Sequence, residues 1–226
     1  MNSIFKPQWL CFDLDGTLVD SAPDLTTSLN YMLAEMQLAC ATENSVRSWI
    51  GNGALKLIKR ALAHAQLTQP SEQQLAQAKT LFFSAYAENV AEKTFCYPHC
   101  QSTLAFCRAK NIRLACVTNK PRQFTLPLMR KLALDEYFSA YMCGDDLPLK
   151  KPDPAPVLAA VQQLKGSPDQ GYMVGDSATD MISAREAGVG AIYATYGYNR
   201  GDSMDQFNPI RIDSLQELQT LFSNLE

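Results

Sequence analysis

Short apolar runs without polar alternation recur along the chain and alternate with amphipathic helical patterns. Strands that are covered on both faces have this uniformly apolar character, and the helices between them can serve as crossovers in a parallel sheet. The sequence therefore predicts an α/β fold with a doubly wound, mostly parallel sheet and a Rossmann-like core. The predicted strands lie at residues 9–12, 112–118, 141–143, 171–174, 190–195 and, as a short last strand, 209–212.

The segment from about residue 21 to residue 91 departs from this alternation, because it carries three helical apolar patterns and no convincing strand. We therefore expect two domains: a Rossmann-like core made of residues 1–18 and 92–226, and an inserted all-helical cap made of residues 19–91. The expected N-terminal caps of the first and third helices in this segment are Ser21 with Asp24 and Ser71 with Gln74.

Polar residues follow four of the predicted strands, at the point where each strand ends or the next helix begins. In a doubly wound sheet, ligands bind in the crevice at the carboxyl ends of the strands. Chance placement of all four groups at such ends is improbable, so they predict one shared site. The groups are Asp13 with Asp15, Thr118 with Asn119, Lys151, and Asp176 with Asp180.

The residue types in these groups indicate phosphate chemistry with a metal ion. Two carboxylates at the end of a buried strand are costly unless a cation or a proton compensates them. A threonine hydroxyl can hold phosphate oxygens, and a lysine at a helix start can neutralise a phosphoryl group. Lys150 and Lys151 are adjacent, so the chemistry does not choose between them, and Lys120 is a third and weaker candidate.

Taken together, the four groups resemble the motifs of the haloacid-dehalogenase-like superfamily, and specifically those of its aspartate-based phosphatases with a helical cap. The first motif is matched by residues 13–20, the second by Thr118 with Asn119, the third by Lys151 with Pro152, and the fourth by residues 175–176 with Asp180. The resemblance covers essentially the whole chain. It implies a hydrolase of phosphoric monoesters, in which the core is the phosphatase domain and the helical cap sets substrate specificity.

The resemblance also implies a role for each motif residue. Asp13 is expected to be the nucleophile that becomes an aspartyl phosphate, with Asp15 as general acid and base. Mg²⁺ is the implied cofactor, with Asp13, Asp15 (through its backbone carbonyl) and Asp176 as ligands. The remaining residues are expected to hold phosphate oxygens or to support those that do; they are Thr118, Asn119 and Lys151, with Asp180 as the supporting residue.

Within the superfamily, the chain is most similar to the phosphoglycolate phosphatase family. The added similarity lies in residues 49–54 and 60–62 of the cap and in residues 195–199 near the end of the chain. It implies a small phosphorylated metabolite, 2-phosphoglycolate, as substrate. Its carboxylate needs cationic or amide donors, and the candidate substrate-binding residues of the cap are Gly51, Asn52, Gly53 and Arg60, with Arg47 and Lys56 as further cations.

Composition argues against several other classes of protein. The formal net charge is −3 and there is no basic stripe, which argues against nucleic acid as a partner. No apolar run approaches the roughly 18 residues of a membrane span. Seven cysteines, an odd number, are expected to be reduced thiols in a cytoplasmic protein that is a monomer or a small homo-oligomer.

Three rival functions remain at the level of the sequence. A dehalogenase shares the nucleophile, but it needs neither Asp15 nor Asp176 as they occur here. Sugar-phosphate phosphatases and phosphomutases differ chiefly in the cap. A phospho-accepting receiver module also combines an acid cluster with Mg²⁺, a threonine and a lysine, but it is much shorter and has no helical insertion.

Overall fold

The computed structural model describes residues 4–198, 201–223 and 225, and it consists of eight strands and nine α-helices within these residues. The strands are β1 (Trp9–Phe12), β2 (Val19–Asp20), β3 (Phe95–Cys96), β4 (Arg113–Val117), β5 (Ala140–Met142), β6 (Gly171–Gly175), β7 (Gly190–Ala194) and β8 (Ile210–Ile212). The helices are α1 (Ala22–Glu35), α2 (Glu43–Arg47), α3 (Ala54–His64), α4 (Glu72–Asn89), α5 (Cys100–Ala109), α6 (Arg122–Lys131), α7 (Ala155–Gln163), α8 (Ala178–Ala187) and α9 (Gln216–Ser223).

Six strands form one parallel sheet in the order β5-β4-β1-β6-β7-β8. The chain first moves from β1 outward through β4 to β5, and then returns to the other side of β1 to form β6. The strand order therefore reverses beside β1. In folds of this type the crevice for ligands opens at the carboxyl ends of the strands at such a reversal.

Both faces of the sheet are buried, as the uniformly apolar strands predict. Leu10 and Phe12 point into one hydrophobic cluster, which continues into the helical insertion. Trp9 and Cys11 point into a second cluster on the opposite face, where α7 and α8 cover the sheet. Alternate residues of one strand thus contribute to two separate cores, which is the arrangement expected of a central parallel strand.

The predicted fold class is confirmed, and each of the six predicted strands is present with ends that differ by at most one residue. Helix α6 is not among the helical patterns found in the sequence. Its apolar face is short, and Pro127 lies inside it. Proline removes a backbone donor from a helix interior and normally argues against one.

Four helices, α1 to α4, occupy the insertion between β2 and β3. These two short strands pair with each other in antiparallel fashion, Val19 opposite Cys96 and Asp20 opposite Phe95. The chain therefore leaves the sheet region and returns to it through one two-stranded ribbon. Within the insertion, α1 packs chiefly against α4.

Of the two predicted helix caps in the insertion, one is confirmed. Ser71 and Gln74 form a reciprocal capping box at the start of α4. The Ser21 side chain makes no cap hydrogen bond and donates instead to Asp15 Oδ1 at 2.6 Å. Asp24 accepts hydrogen bonds from the backbone N–H groups of Lys93 and Thr94, because its carboxylate is buried against the returning chain. Among the described helices, none is both long enough and apolar enough to cross a membrane.

Candidate active site

Three buried carboxylates meet at the carboxyl ends of the neighbouring strands β1 and β6. Asp13 follows β1, and its backbone N–H donates to the Val174 carbonyl of β6 at 2.9 Å. Asp176 follows β6, and Asp180 lies in the first turn of α8. One carboxylate oxygen from each of the three residues lies within 4.8 Å of the other two. The parallel pairing of β1 with β6 thus converts two separate sequence motifs into one acid cluster.

Lys151 is the cation that meets this cluster. Its Nζ atom lies 3.0 Å from Asp13 Oδ1 and 2.7 Å from Asp180 Oδ1, and it also donates to the Val117 carbonyl at the end of β4. The neighbouring Lys150 is exposed. The tertiary structure thus distinguishes Lys151 from Lys150, the two lysines between which the residue chemistry did not choose. Lys151 is held in turn by Asn119, whose Nδ2 donates to the Lys151 carbonyl at 2.9 Å.

Two carboxyl groups of this cluster, those of Asp13 and Asp176, have raised pKa values. Burial raises the pKa of Asp13 to about 7; the Lys151 ammonium opposes this rise and the Asp180 carboxylate adds to it. Burial, together with the charges of Asp13 and Asp180, also raises the pKa of Asp176 well above its usual range. Burial alone would lower the pKa of Lys151, but the charges of Asp13 and Asp180 outweigh it and raise that pKa.

Asp176 is oriented by two residues for which the sequence indicated no role. Thr17 Oγ1 donates to Asp176 Oδ1 at 3.1 Å, and the Tyr198 backbone N–H donates to Asp176 Oδ2 at 2.7 Å. Thr17 belongs to the first motif, and Tyr198 belongs to residues 195–199, which are similar to the phosphoglycolate phosphatase family. The sequence therefore marked both positions without indicating their role. Asn199, the last residue of that similarity, lies outside the described residues.

Gly16 allows the chain to pass close to Asp176. Its φ angle is +91°, and a Cβ atom at this position would lie 2.2 Å from Asp176 Oδ2. Both the backbone conformation and the close approach therefore require glycine. The chain segment that begins at Asp15 is thereby held against the acid cluster.

The Asp15 side chain lies apart from the three clustered carboxylates. Its Oδ1 atom accepts hydrogen bonds from Lys120 Nζ at 3.0 Å and from Ser21 Oγ at 2.6 Å. Lys120 is buried, and the charge of Asp15 raises the pKa of its ammonium despite the opposing effect of burial. In the sequence, Lys120 was the weakest of the three candidates for the phosphate-binding lysine. The structure shows that its partner is Asp15, which the sequence did not indicate.

Thr118 and Asn119 lie at the end of β4, beside the first motif. Thr118 Oγ1 accepts a hydrogen bond from the Lys120 backbone N–H at 3.2 Å, which leaves its hydroxyl proton available as a donor. Asn119 Nδ2 contacts the Gly51 carbonyl at 3.2 Å as well as that of Lys151. Asn119 therefore links the sheet edge to the loop between α2 and α3.

The loop residues predicted to bind substrate are divided between two positions. Gly51 and Gly53 line the cavity next to Asp13 and Asp15. Asn52 donates from Nδ2 to Thr179 Oγ1 at 3.2 Å, across to the start of α8. Arg60 donates to the Trp49 carbonyl and, at 2.8 Å, to Asn52 Oδ1, so its guanidinium binds the loop itself.

The cavity at this site has a polar floor and a largely apolar wall, and its free volume is about 40 Å³. The sheet edge supplies the floor, with Asp13, Asp15 and Thr118. The insertion supplies most of the wall. The full set of lining residues is Asp13, Asp15, Leu25, Ile50, Gly51, Gly53, Ala54, Leu57, Phe82, Tyr86, Thr118, Asn119, Lys120, Pro121 and Phe124.

The acid cluster has the donor set of a divalent-cation site. Its ligand atoms are carboxylate oxygens, which hard cations such as Mg²⁺ prefer. The three carboxylates have one ammonium beside them, which pairs with Asp13 and Asp180. Burial, to which the neighbouring carboxylates add, raises the pKa values of Asp13 and Asp176. A divalent cation would supply the missing positive charge. The residues present therefore fit such an ion.

The comparison with protein families agrees with this geometry. The family model of the haloacid dehalogenase-like hydrolases matches residues 10–194, which include all four motifs. The chain belongs to this family. Together with its curated relatives, this membership makes the protein a phosphoric monoester hydrolase.

Its relatives are phosphatases that match it over nearly their whole length. The phosphoglycolate phosphatase of Nitrosococcus oceani is 41% identical over 219 residues, which cover 96% of this chain and 97% of the relative. That of Escherichia coli strain K12 is 40% identical over 225 residues, which cover 92% and 89% of the two chains.

Solved structures show the same fold. The crystal structure of a predicted phosphoglycolate phosphatase from Haemophilus somnus 129PT superposes with a TM-score of 0.90 at 36% identity and covers 98% of this hydrolase and 99% of that chain. CbbY of Rhodobacter sphaeroides in complex with xylulose-(1,5)bisphosphate superposes with a TM-score of 0.79 at 23% identity, over 94% and 96% of the two chains. At 23% identity, the similarity to CbbY shows the fold alone.

Proposed function

We propose that this hydrolase is a Mg²⁺-dependent phosphatase that converts 2-phosphoglycolate to glycolate and phosphate through an aspartyl phosphate on Asp13. The observation that carries the proposal is the position of Asp13. Its carboxylate lines the cavity, belongs to the acid cluster and lies 3.0 Å from the Lys151 ammonium. The proposed substrate is supported by the names of relatives about 40% identical.

In the first step Asp13 attacks phosphorus, and the bond from phosphorus to the glycolate oxygen breaks. The departing oxygen needs a proton, and Asp15 is placed to give it because its carboxylate also lines the cavity. Thr118 and Lys151 stabilise the charge on the phosphoryl oxygens, where preorganised donors have their largest effect. Asn119 positions Lys151 through the hydrogen bond to its backbone carbonyl.

In the second step a water molecule attacks the aspartyl phosphate and releases inorganic phosphate. Asp15, deprotonated after the first step, takes the proton of this water as general base. General acid–base assistance of this kind contributes roughly 10² to 10⁴ in rate. Asp180 keeps Lys151 in place through the 2.7 Å ion pair.

Mg²⁺ would be held by Asp13 and Asp176, with the Asp15 backbone carbonyl as a further ligand, and would screen the repulsion between the nucleophile and the phosphate. Asp180 lies close enough to this set to contribute through its charge. Thr17 and Tyr198 orient the Asp176 carboxylate for this purpose. Such outer contacts commonly determine the affinity of a metal site.

We further propose that residues 19–91 form a cap that closes over the core and excludes water during the reaction. Its contacts with the core support this role. Asn52 donates to Thr179 at the start of α8, and Asn119 at the end of β4 donates to the Gly51 carbonyl. Closure of this kind completes a site and sequesters it from solvent.

The proposal is tested by the variant Asp13→Asn and a panel of phosphate esters. The asparagine side chain keeps the shape of the aspartate but is not a nucleophile, so we expect no measurable phosphate release from a folded protein. The wild-type enzyme should show its highest kcat/KM on 2-phosphoglycolate, compared with sugar phosphates and an aryl phosphate. Turnover by Asp13→Asn near the wild-type rate would exclude the covalent route, and preference for a sugar phosphate would exclude the proposed substrate.

Metal dependence is tested separately with the wild-type enzyme. Removal of divalent ions with EDTA should abolish turnover, and excess Mg²⁺ should restore it. Full activity in excess EDTA would exclude a catalytic metal ion.

A further inference from the structure

One polar atom in the cavity has no hydrogen-bond partner. Tyr86, on α4, lines the cavity and is 1% exposed, and its hydroxyl is the only buried side-chain polar atom without a hydrogen-bond partner in the part of the chain that the structure describes. A buried hydroxyl without a partner is costly, and native structures rarely contain one. This hydroxyl therefore indicates a ligand group that would accept its proton.

A buried cation lies beside this hydroxyl. Lys120 Nζ is 4.8 Å from the centre of the Tyr86 ring, close enough for its charge to oppose the effect of burial on the tyrosine. An ammonium can only donate, so its proximity to the Tyr86 oxygen leaves the hydroxyl proton without an acceptor. Burial still raises the pKa of Tyr86 to about 12, so the hydroxyl keeps its proton and can donate it.

Lys120 is the only positively charged residue among those that line the cavity, all of which belong to the described chain. Lys151 has three partners, which are Asp13, Asp180 and the Val117 carbonyl. Lys120 Nζ donates to the two carboxylate oxygens of Asp15, which leaves one of its N–H donors for a ligand. The wall around Tyr86 is otherwise apolar, with Leu25, Leu57, Phe82 and Phe124. An anionic group of the substrate in this part of the cavity would have Lys120 and Tyr86 as its polar partners.

We propose that the Tyr86 hydroxyl and the Lys120 ammonium form a subsite for the carboxylate of the leaving group. The inference rests on the proposed function, because it takes the substrate to be the phosphate ester of a small hydroxy acid. Tyr86 donates to one carboxylate oxygen, and Lys120 places its charge beside the other. Tyr86 is then a specificity-determining residue, and it distinguishes acid esters from neutral ones.

This assignment differs from the sequence expectation that Arg60 meets the carboxylate. Arg60 donates to the Trp49 carbonyl and to Asn52 Oδ1, and it is not among the residues that line the cavity. Lys120 and Tyr86 come from different parts of the fold, Lys120 from the sheet edge and Tyr86 from the insertion. A ligand that contacts both would also hold the two parts together.

The test compares kcat/KM for 2-phosphoglycolate with kcat/KM for 2-hydroxyethyl phosphate, which has a neutral hydroxyl in place of the carboxylate. Tyr86→Phe removes only the hydroxyl and should lower the ratio of the two values by roughly 10- to 100-fold, the effect of one hydrogen bond to a charged group. Tyr31→Phe is the matched control, because Tyr31 is a 49% exposed tyrosine on α1 of the same insertion, and it should keep the wild-type ratio.

Thermal unfolding separates binding from a structural role. Because the free protein leaves the hydroxyl without a partner, Tyr86→Phe should unfold at the wild-type temperature or above it. A lower unfolding temperature together with an unchanged ratio would assign Tyr86 to packing and overturn the subsite.

The two proposals fail in different ways. If the wild-type enzyme prefers 2-phosphoglycolate and Tyr86→Phe keeps that preference, the subsite is overturned and the proposed function stands. If the enzyme prefers another acid ester, such as 2-phospholactate, to 2-phosphoglycolate, the proposed substrate is overturned. Tyr86→Phe should then lower the ratio of kcat/KM for 2-phospholactate to kcat/KM for its neutral alcohol analogue, and an unchanged ratio would overturn the subsite as well.

Discussion

Lys151 Nζ lies 3.0 Å from the carboxylate of Asp13, and both side chains are buried. The same ammonium meets Asp180 at 2.7 Å, so one lysine compensates two acids at the end of β1. The pair brings the candidate nucleophile and the candidate phosphate-binding cation into contact before any substrate is present. Because its charges are buried, the loss of one partner affects stability as well as chemistry.

Lys151→Met should therefore lower both activity and stability. Loss of a positioned donor to the phosphoryl oxygens is expected to lower kcat by at least about 100-fold. Leaving Asp13 and Asp180 without their ammonium should lower the free energy of unfolding by about 3 kcal/mol, measured by urea denaturation in EDTA. Lys150→Met is the matched control, since Lys150 is exposed, and it should change neither value appreciably. Equal effects of the two substitutions would contradict the assignment of Lys151.

Gly16→Ala should weaken the metal site. A Cβ atom at this position would lie 2.2 Å from Asp176 Oδ2, and the φ angle of +91° is unfavourable for alanine. Displacement of Asp176 is expected to lower the affinity for Mg²⁺ by roughly 10- to 100-fold, measured as the Mg²⁺ concentration that gives half-maximal activity.

Gly188→Ala provides the control for backbone strain alone. Gly188 has a φ angle of +68°, and a Cβ atom added at this position would meet no other atom within 4 Å. The substitution should lower stability by about 1 kcal/mol and leave the Mg²⁺ dependence unchanged. A similar change of Mg²⁺ dependence in both variants would show that Gly16 does not act through Asp176.

Arg60→Met should loosen the loop of residues 49–53 and thereby lower kcat/KM. The guanidinium contacts the Trp49 carbonyl and Asn52 Oδ1, and hydrogen bonds from a charged group contribute roughly 1.5 kcal/mol or more. We expect kcat/KM to fall by about 10-fold for acid and neutral esters alike, because Arg60 acts through the loop. Lys59→Met, at an exposed neighbouring position, is the control. A loss confined to acid esters would instead place Arg60 at the substrate carboxylate.

The stability of the ion-free protein should fall as the pH rises towards neutrality. The pKa of Asp13 is raised from 3.8 to about 7 in the folded state, and that of Asp176 is also raised. Between these two values the folded protein binds more protons than the unfolded chain, so the stability that is present below about pH 4 is lost as the pH rises through 7.

Mg²⁺ should reverse this trend, because it binds the ionised carboxylates. The increase in unfolding temperature on addition of Mg²⁺ is therefore expected to grow between pH 5 and pH 8, roughly the range in which these acids lose their protons. Thermal unfolding in EDTA and in Mg²⁺ across this range measures both effects. In EDTA, the unfolding temperature of Asp13→Asn should depend less on pH than that of the wild type. If Mg²⁺ raises the wild-type unfolding temperature by the same amount at every pH, the acid cluster is not the metal site.

The strands and the edge of the sheet at which the site lies could be predicted from the sequence. Uniformly apolar runs are local signals, and so is the position of Asp13, Thr118 and Asp176 directly after three of them. The meeting of these residues then follows from the parallel topology, because the carboxyl ends of neighbouring strands share one edge. Helix α6 was missed because its interior proline is a local signal against a helix.

Contacts between distant segments carry no such local signal. Tyr86 lies four residues after Phe82 on the same face of α4, so the sequence indicates only another core residue of that helix. Its position at the cavity depends on how the insertion packs. The partners of Asp15, which are Lys120 and Ser21, likewise depend on the folded chain. Arg60 was predicted from its charge, and the structure shows that this charge binds the adjacent loop.

The sequence by itself determined the parallel sheet and the chemical types of group at its carboxyl edge, because apolar periodicity and strand ends are properties of short segments. Only the tertiary structure decided which lysine meets which acid, Lys151 with Asp13 and Lys120 with Asp15. It also decided that Tyr86 lines the cavity without a hydrogen-bond partner for its hydroxyl. The physical reason is that charge pairing and burial depend on distances between segments that are far apart in the chain.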